Sequence, residues 1–207
     1  MIKVIIALLL FLAPAWLFAQ TEQDNYDMYA QYLRLVKAEE KGNVIFVVCE
    51  STDYGRKFDS GIHLGVRDLR RWYKNGHSSL TGNAQYDSIR QKIKSDTTWI
   101  SLMVKLEKKM SQRFVIANRF SPDLHVTIIG EDTYNKIFRG DGWGSFHKKY
   151  RGPAALVDLS AVVSDGKRAL FYFAQAWGGK EGNTSVIFFE KVNGKWIYFG
   201  TDRIFNF

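Results

Sequence analysis

Four apolar runs separated by short turns fill the last third of the chain, from Ala154 to Phe207, and they constrain its fold more than any other stretch. In the first, Ala155 to Val163, residues Val157, Leu159, Ala161 and Val163 share one face, while Asp158 and Ser160 share the other. Successive side chains of a strand point to opposite faces, so this pattern predicts a half-buried strand. Ser164-Asp165-Gly166-Lys167 comes next; Asp-Gly suits a two-residue hairpin turn, because glycine takes positive φ without a steric penalty. The second run, Arg168 to Trp177, is apolar on both faces, with Leu170, Tyr172 and Ala174 set against Phe171, Phe173 and Trp177. That is the pattern of a central strand covered on both sides. A looser turn over Gly178 to Asn183 leads to the third run, Thr184 to Lys191, and Asn193-Gly194 marks a second hairpin before Lys195 to Phe199. Consecutive strands joined by short turns pair antiparallel, so residues 155–200 are expected to form a four-strand meander.

The rest of the mature chain reads mainly as helix. Tyr26, Tyr29, Ala30, Leu33 and Val36 recur at three- and four-residue spacing, one face of a helix from about Asn25 to Lys41, with Asp24 as its N-terminal cap and Gly42 closing it. Asn43 to Glu50 is then a strand, left through a turn at Ser51 to Gly55. Val66, Leu69, Trp72 and Tyr73 suggest a short helix, Gly76 to Asn83 a loop, and Tyr86 to Ile93 another helix. From Asp96, an apolar stripe of Trp99, Leu102, Met103, Leu106 and Met110 predicts a helix packed on the sheet, with Lys105, Glu107, Lys108 and Lys109 off the stripe. Pro122 bars helix at Ser121, so Asp123 to Ile129 is expected as a strand. Glu131 to Phe138 then reads as a short helix, and Asp141 to Tyr150 as a further helical turn. The fold class is α+β: an N-terminal helix and strand, middle helices, and a C-terminal antiparallel meander packed against helices. Residues 20–207 form one domain, with 55–95 as an irregular or helical insertion; 207 residues, 46% of them hydrophobic, suffice for a real core.

Residues 1–19 have the pattern of a secretory signal peptide: Lys3 as a basic head, an unbroken apolar run from Val4 to Leu12, and a small residue, Ala19, at the cleavage position. The run is short of the roughly 20 residues a spanning helix needs, and Pro14 breaks any helical continuation toward Leu17. The mature chain is therefore expected without a transmembrane segment, in the periplasm or outside the cell. Cys49 is the sole cysteine, which excludes an intramolecular disulfide; its apolar surroundings mark it as a buried strand residue.

Certain residues occur in an order similar to that of one known group. They are Asp27-Met28-Tyr29, Glu50-Ser51-Thr52, the segment Gly142-Trp143-x-x-Phe146-x-x-x-Tyr150, Leu159-Ser160, Ala169-Leu170-Phe171-Tyr172, and Glu190-Lys191-x-Asn193-Gly194-Lys195-Trp196. The chain resembles an uncharacterised family of small exported proteins of Bacteroidota-type bacteria. The resemblance spans the first helix and strand and then about residues 95–200. It implies fold and export, with no activity attached. Two departures stand out: residues 55–95 are longer than the family's usual connection, and the turn Gly178 to Gly182 lacks the cysteine pair that often flanks it there.

Catalytic motifs are sparse. The four histidines, His63, His77, His125 and His147, have no zinc spacing. Ser145-Phe146-His147-Lys148 matches Ser-x-x-Lys, in which the amine takes the serine proton one helical turn away, but Lys-Thr-Gly and Ser-Asp-Asn are missing. Glu39-Glu40 and Glu131-Asp132 sit at predicted helix ends, where acids have ordinary structural roles. Trp143, Phe146 and Tyr150 form a stripe that fits a core or the wall of a pocket. No cofactor or metal is expected.

Charge is the stronger signal. The chain carries +8, and residues 56–119 hold fourteen lysines and arginines against five acids. Arg67, Arg70, Arg71 and Lys74 have the spacing of one helical face, and Lys105, Lys108 and Lys109 repeat it later. The candidate binding residues are thus Arg67, Arg70, Arg71, Lys74 and Trp143. An exported protein with such a middle would meet an anionic polysaccharide or lipid headgroups before nucleic acid. Two function classes fit: a non-enzymatic exported binding domain, and a hydrolase whose site is assembled from distant residues such as Glu50, Asp53 and His147. Mass spectrometry of exported material should find Gln20 at the N-terminus; material beginning at Met1 would refute the signal peptide.

Overall fold

Aromatic and β-branched residues on both faces of one long strand require cover on two sides, and the chain supplies it from helices that precede the strand. The structure, a computed structural model, describes residues 22–40, 44–52, 84–110 and 112–206. Helix α1 (22–39) is followed by β1 (Ile45–Cys49), β2 (Ser51–Thr52), α2 (Ala84–Ser95), α3 (Thr97–Met110) and β3 (Phe114–Val115). A 3-10 turn (Pro122–Leu124) leads into β4 (Val126–Ile129), α4 (Glu131–Phe138) and α5 (Trp143–Lys149). Strands β5 (Ala154–Leu159), β6 (Val163–Ser164), β7 (Arg168–Gly178), β8 (Glu181–Val192) and β9 (Lys195–Asn206) complete the chain.

Among the described residues, the main sheet has seven strands in the order β4-β1-β5-β7-β8-β9, with β6 also paired to β7. Its C-terminal half is the antiparallel meander, β5 to β7 to β8 to β9. Its other half is parallel: β1 pairs in the same direction with β4 and with β5. The fold is α+β, with a mixed sheet. Asn193 and Gly194 both have positive φ (51° and 78°), the geometry of a two-residue turn between Val192 and Lys195. At the other hairpin the carboxylate of Asp165 accepts from the amides of Lys167 and Arg168, fixing the turn around Gly166.

Alternation along β7 and β8 divides the core. Ala169, Phe171 and Phe173 of β7, with Ile187 and Phe189 of β8, face α1, which contributes Tyr26, Tyr29, Tyr32, Leu33 and Val36. Tyr29 packs edge-on against Phe171 and donates its hydroxyl hydrogen bond to the carbonyl of Ser160 at 2.6 Å. Leu170, Tyr172, Val186 and Phe188 face the other way, onto α2 and α3, where Trp99 is fully buried and stacks on Phe199. Helices α4 and α5 cover the parallel half on that same second face, through Ile137 and Phe146. Where α2 crosses β9, a Cβ at Gly200 would run into the Ile89 side chain, which would have to shift.

Among the described residues strand β9 is an edge of the sheet, and side chains cap its backbone. Gln31 of α1 accepts from the Tyr198 amide at 2.6 Å and donates to the Trp196 carbonyl at 3.2 Å, as a neighbouring strand would. Further along, Arg90 of α2 donates to the Arg203 carbonyl and to Asp202, the latter at 2.8 Å. The Arg90–Asp202 pair is almost dry, its side chains 5% and 0% exposed.

Several expectations change. Strand β5 is buried on both faces, because α4 and α5 cover the side on which solvent was expected. It also ends at Leu159; Val163 belongs to the separate β6. Asp24 lies inside α1 and does not cap it; its carboxylate instead accepts from the Trp196 indole at 3.0 Å. Strand β4 is shorter than residues 123–129, since Pro122 starts a 3-10 turn and His125 is left-handed at φ 50°. Ser51 and Thr52 pair with β3 and are not a free turn. The glycine-rich turn is tight, with Gly178 opposite Glu181. Gly42, the expected helix around Val66 to Tyr73, and residues 1–19 lie outside the described residues.

Removing one member of the dry pair leaves a buried charge without its partner. Asp202→Ala should cost about 3–5 kcal/mol in denaturant unfolding, and replacing both Arg90 and Asp202 by apolar residues should recover most of it. Equal destabilisation by the single and the double variant would show that the pair is not the dominant bond.

Candidate functional site

The apolar stripe of α3 (Trp99, Leu102, Met103, Leu106 and Met110) is wholly buried, which turns the opposite face of the helix outward. Arg168 holds the start of α3 in place, pairing with Asp96 at 2.7 Å and lying over the Trp99 ring. The C-terminal half of α3 runs beside the short strand β6. Between them lies a cavity of about 440 Å³, lined by Lys105, Lys108, Lys109, Gln112, Val162, Val163 and Ser164. No carboxylate lines it, and Lys105 and Lys109 are held in no ion pair among the described residues. The lining combines the three amines with the Gln112 and Ser164 side chains and with Val162 and Val163, of which Val163 is buried. Of the two acids adjacent in sequence to lining residues, Glu107 is outside the lining and Asp165 is engaged by Arg168 and by the hairpin amides. Lysines at the end of a helix also complement its macrodipole, which accounts for part of their presence but not for their gathering around a cavity. Chemically, the groove can hold an anion: it offers charge and donors, and it has neither a nucleophile paired to a base nor a metal-ligand set.

The residues singled out from sequence are scattered. Trp143 is half-buried on α5, edge-on to Phe138 and Phe146 at 5.3 and 5.2 Å, and lies against Gly179 of the β7–β8 turn. Phe146 is fully buried beneath it, so the stripe is mainly core. His147 is exposed and packs beside Trp143 and Phe146. Glu50 is exposed at the end of β1, its carboxylate close to Gly130, and no contact joins it to His147. Asp53, Arg67, Arg70, Arg71 and Lys74 lie outside the described residues, as do His63 and His77. Among the described residues, no three His, Cys, Asp or Glu side chains are placed to hold a metal. What sequence reasoning missed is the second wall of the groove, Gln112 and Val162 to Ser164. The break that separates β5 from β6 creates this wall, and an uninterrupted alternating pattern hid it.

A second polar feature is internal. Asp158 and Thr184 are both cross-strand neighbours of Ala174, on its two sides, and Tyr172 lies next along the same face. Tyr172 and Ala174 belong to the core under α2 and α3, while Cys49, hydrogen-bonded to Asp158, belongs to the core under α4 and α5. Asp158 is 8% exposed, and its Oδ1 has no hydrogen-bond partner among the described residues; the Thr184 hydroxyl lies beside the buried Tyr172 hydroxyl. Burial pushes the Asp158 carboxyl up to about 6, against the opposing effect of a hydrogen bond from the buried Cys49 thiol.

No family model matches the chain, nor does any curated protein or solved structure.

An acid whose folded pKa is raised contributes stability below its unfolded value, and that contribution is lost as pH rises through about 6. Relative to the parent, Asp158→Asn should therefore gain about 2–3 kcal/mol between pH 4 and pH 8 in urea unfolding. A difference independent of pH would place the carboxyl in a solvated setting.

Proposed function

We propose that this protein is an exported, non-enzymatic binding domain of the cell envelope or extracellular space, and that its partner is anionic. The observation that carries this reading is the groove between α3 and β6, where Lys105, Lys108 and Lys109 surround a cavity with no carboxylate in its lining. The resemblance to a family of small exported proteins and the pattern of residues 1–19 support the destination. A basic site on an exported protein meets acidic polysaccharides and phospholipid headgroups. Among the described residues, no helix is long and apolar enough to cross a membrane.

The sequence cluster of Arg67, Arg70, Arg71 and Lys74 adds further positive charge for the same anionic partner. A hydrolase built on Glu50, Asp53 and His147 has no comparable support, since Glu50 and His147 are each exposed and make no mutual contact.

Retention on a dextran sulfate column tests the binding. The chain from Gln20 should bind at low salt and elute as salt rises, because exposed charges are screened beyond about 8–10 Å near physiological ionic strength. A Lys105→Ala, Lys109→Ala variant should elute at clearly lower salt. Identical elution of parent and variant would remove the groove as the contact.

A further inference from the structure

The outward face of α3 consists of two adjacent stripes. One is Ile100, Val104 and Lys108; the other is Ser101, Lys105 and Lys109, each spaced at four residues. All six are exposed, and Ile100 and Val104 are each 45% exposed, unusual for large apolar side chains on a helix whose buried stripe is otherwise complete. Glu107, the one acid of α3, is half-buried on the far side of the apolar pair from Lys105 and Lys109. One surface thus presents an apolar ridge flanked on one side by amines, and the lysine-lined cavity opens beside it.

A polysaccharide needs the amines and the donors but has no use for the ridge. A phospholipid surface uses both: apolar side chains enter the boundary between headgroups and acyl chains, while lysines meet the phosphates. We infer that α3 is a membrane-surface contact, lying flat on a leaflet rich in anionic phospholipid with Ile100 and Val104 inserted and Lys105 and Lys109 on headgroup phosphates. This inference rests on the anionic-partner reading and names that partner. The groove takes one headgroup phosphate, with Gln112 and Ser164 as further donors. Contact of this kind is peripheral and reversible, because two apolar side chains and a few lysines do not approach the insertion of a spanning helix.

The test compares three forms of the chain from Gln20, which keeps every described element: the parent, Lys105→Ala with Lys109→Ala, and Ile100→Ser with Val104→Ser. All four positions are exposed, so melting curves should coincide. Each form is co-sedimented with phosphatidylglycerol–phosphatidylcholine vesicles and with phosphatidylcholine vesicles, and is also run on dextran sulfate. The parent should sediment with the anionic vesicles only. The lysine variant should lose about ten-fold or more in vesicle partitioning and also elute early from dextran sulfate. The Ile100, Val104 variant should lose about ten-fold on vesicles while keeping its retention on dextran sulfate. Vesicle binding that is unchanged by Ile100→Ser with Val104→Ser would overturn the insertion of α3. Retention on dextran sulfate without sedimentation would overturn the lipid partner and leave the anionic-partner reading standing. Failure of the parent in both assays would overturn both.

Discussion

Strand β7 has bulky side chains on both faces, and the rest of the structure answers that constraint. Phe171 and Phe173 point one way; Leu170 and Tyr172 point the other. Burial of large aromatic and aliphatic side chains is worth roughly 1.5–3 kcal/mol each, so neither face can be left to water. Helix α1 supplies the first cover with a stripe of tyrosines, and α2 and α3 supply the second. The parallel strands β1 and β4 extend the sheet beyond β5, and α4 and α5 cover that extension. Tyrosine suits the first cover because its ring fills space while its hydroxyl satisfies the backbone. Tyr29 does so at Ser160, and Tyr26 accepts from the Ala117 amide.

Two helical covers on one face meet at a seam, and polar groups collect there. Asp158 and Thr184 lie across the small Ala174, which belongs to the core under α2 and α3, and Asp158 also meets Cys49 of the core under α4 and α5. A carboxyl buried this way, with no cation acting on it among the described residues, holds its proton more tightly than usual. The open edge at β9 is handled differently. There the side chains of Gln31 and Arg90 stand in for a missing strand and deny the edge to other chains.

Burying one stripe of α3 decides what the other side of that helix can do. Trp99, Leu102, Leu106 and Met110 fix the rotation of the helix, and Ile100, Val104 and the lysines are turned outward as a consequence. The same rotation sets Lys105 and Lys109 beside β6, where the interruption after Leu159 has opened space. Core packing thus shapes the candidate site, and Val163 belongs to both.

Much of the secondary structure was legible because it depends on local periodicity. The runs of β7 and β8, the turn at Asn193-Gly194, the helix Glu131–Phe138 and the buried stripe of α3 each declare themselves within a dozen residues. The basic face at Lys105, Lys108 and Lys109 was legible for the same reason. What the chain's local pattern did not carry was partnership between distant segments. Nothing near Phe46 says that β1 pairs in parallel with Val126 and Ala155, and nothing near Asp158 says that α4 and α5 will close over its face. Asp24 reads as a helix cap until the indole of Trp196, far along the chain, takes its carboxylate. Sequence determined the alternation of faces and the placement of turns, because these depend on neighbours a few residues apart. Tertiary structure alone decided which faces were buried and which lysines shared a groove, because burial depends on surfaces brought together from far along the chain.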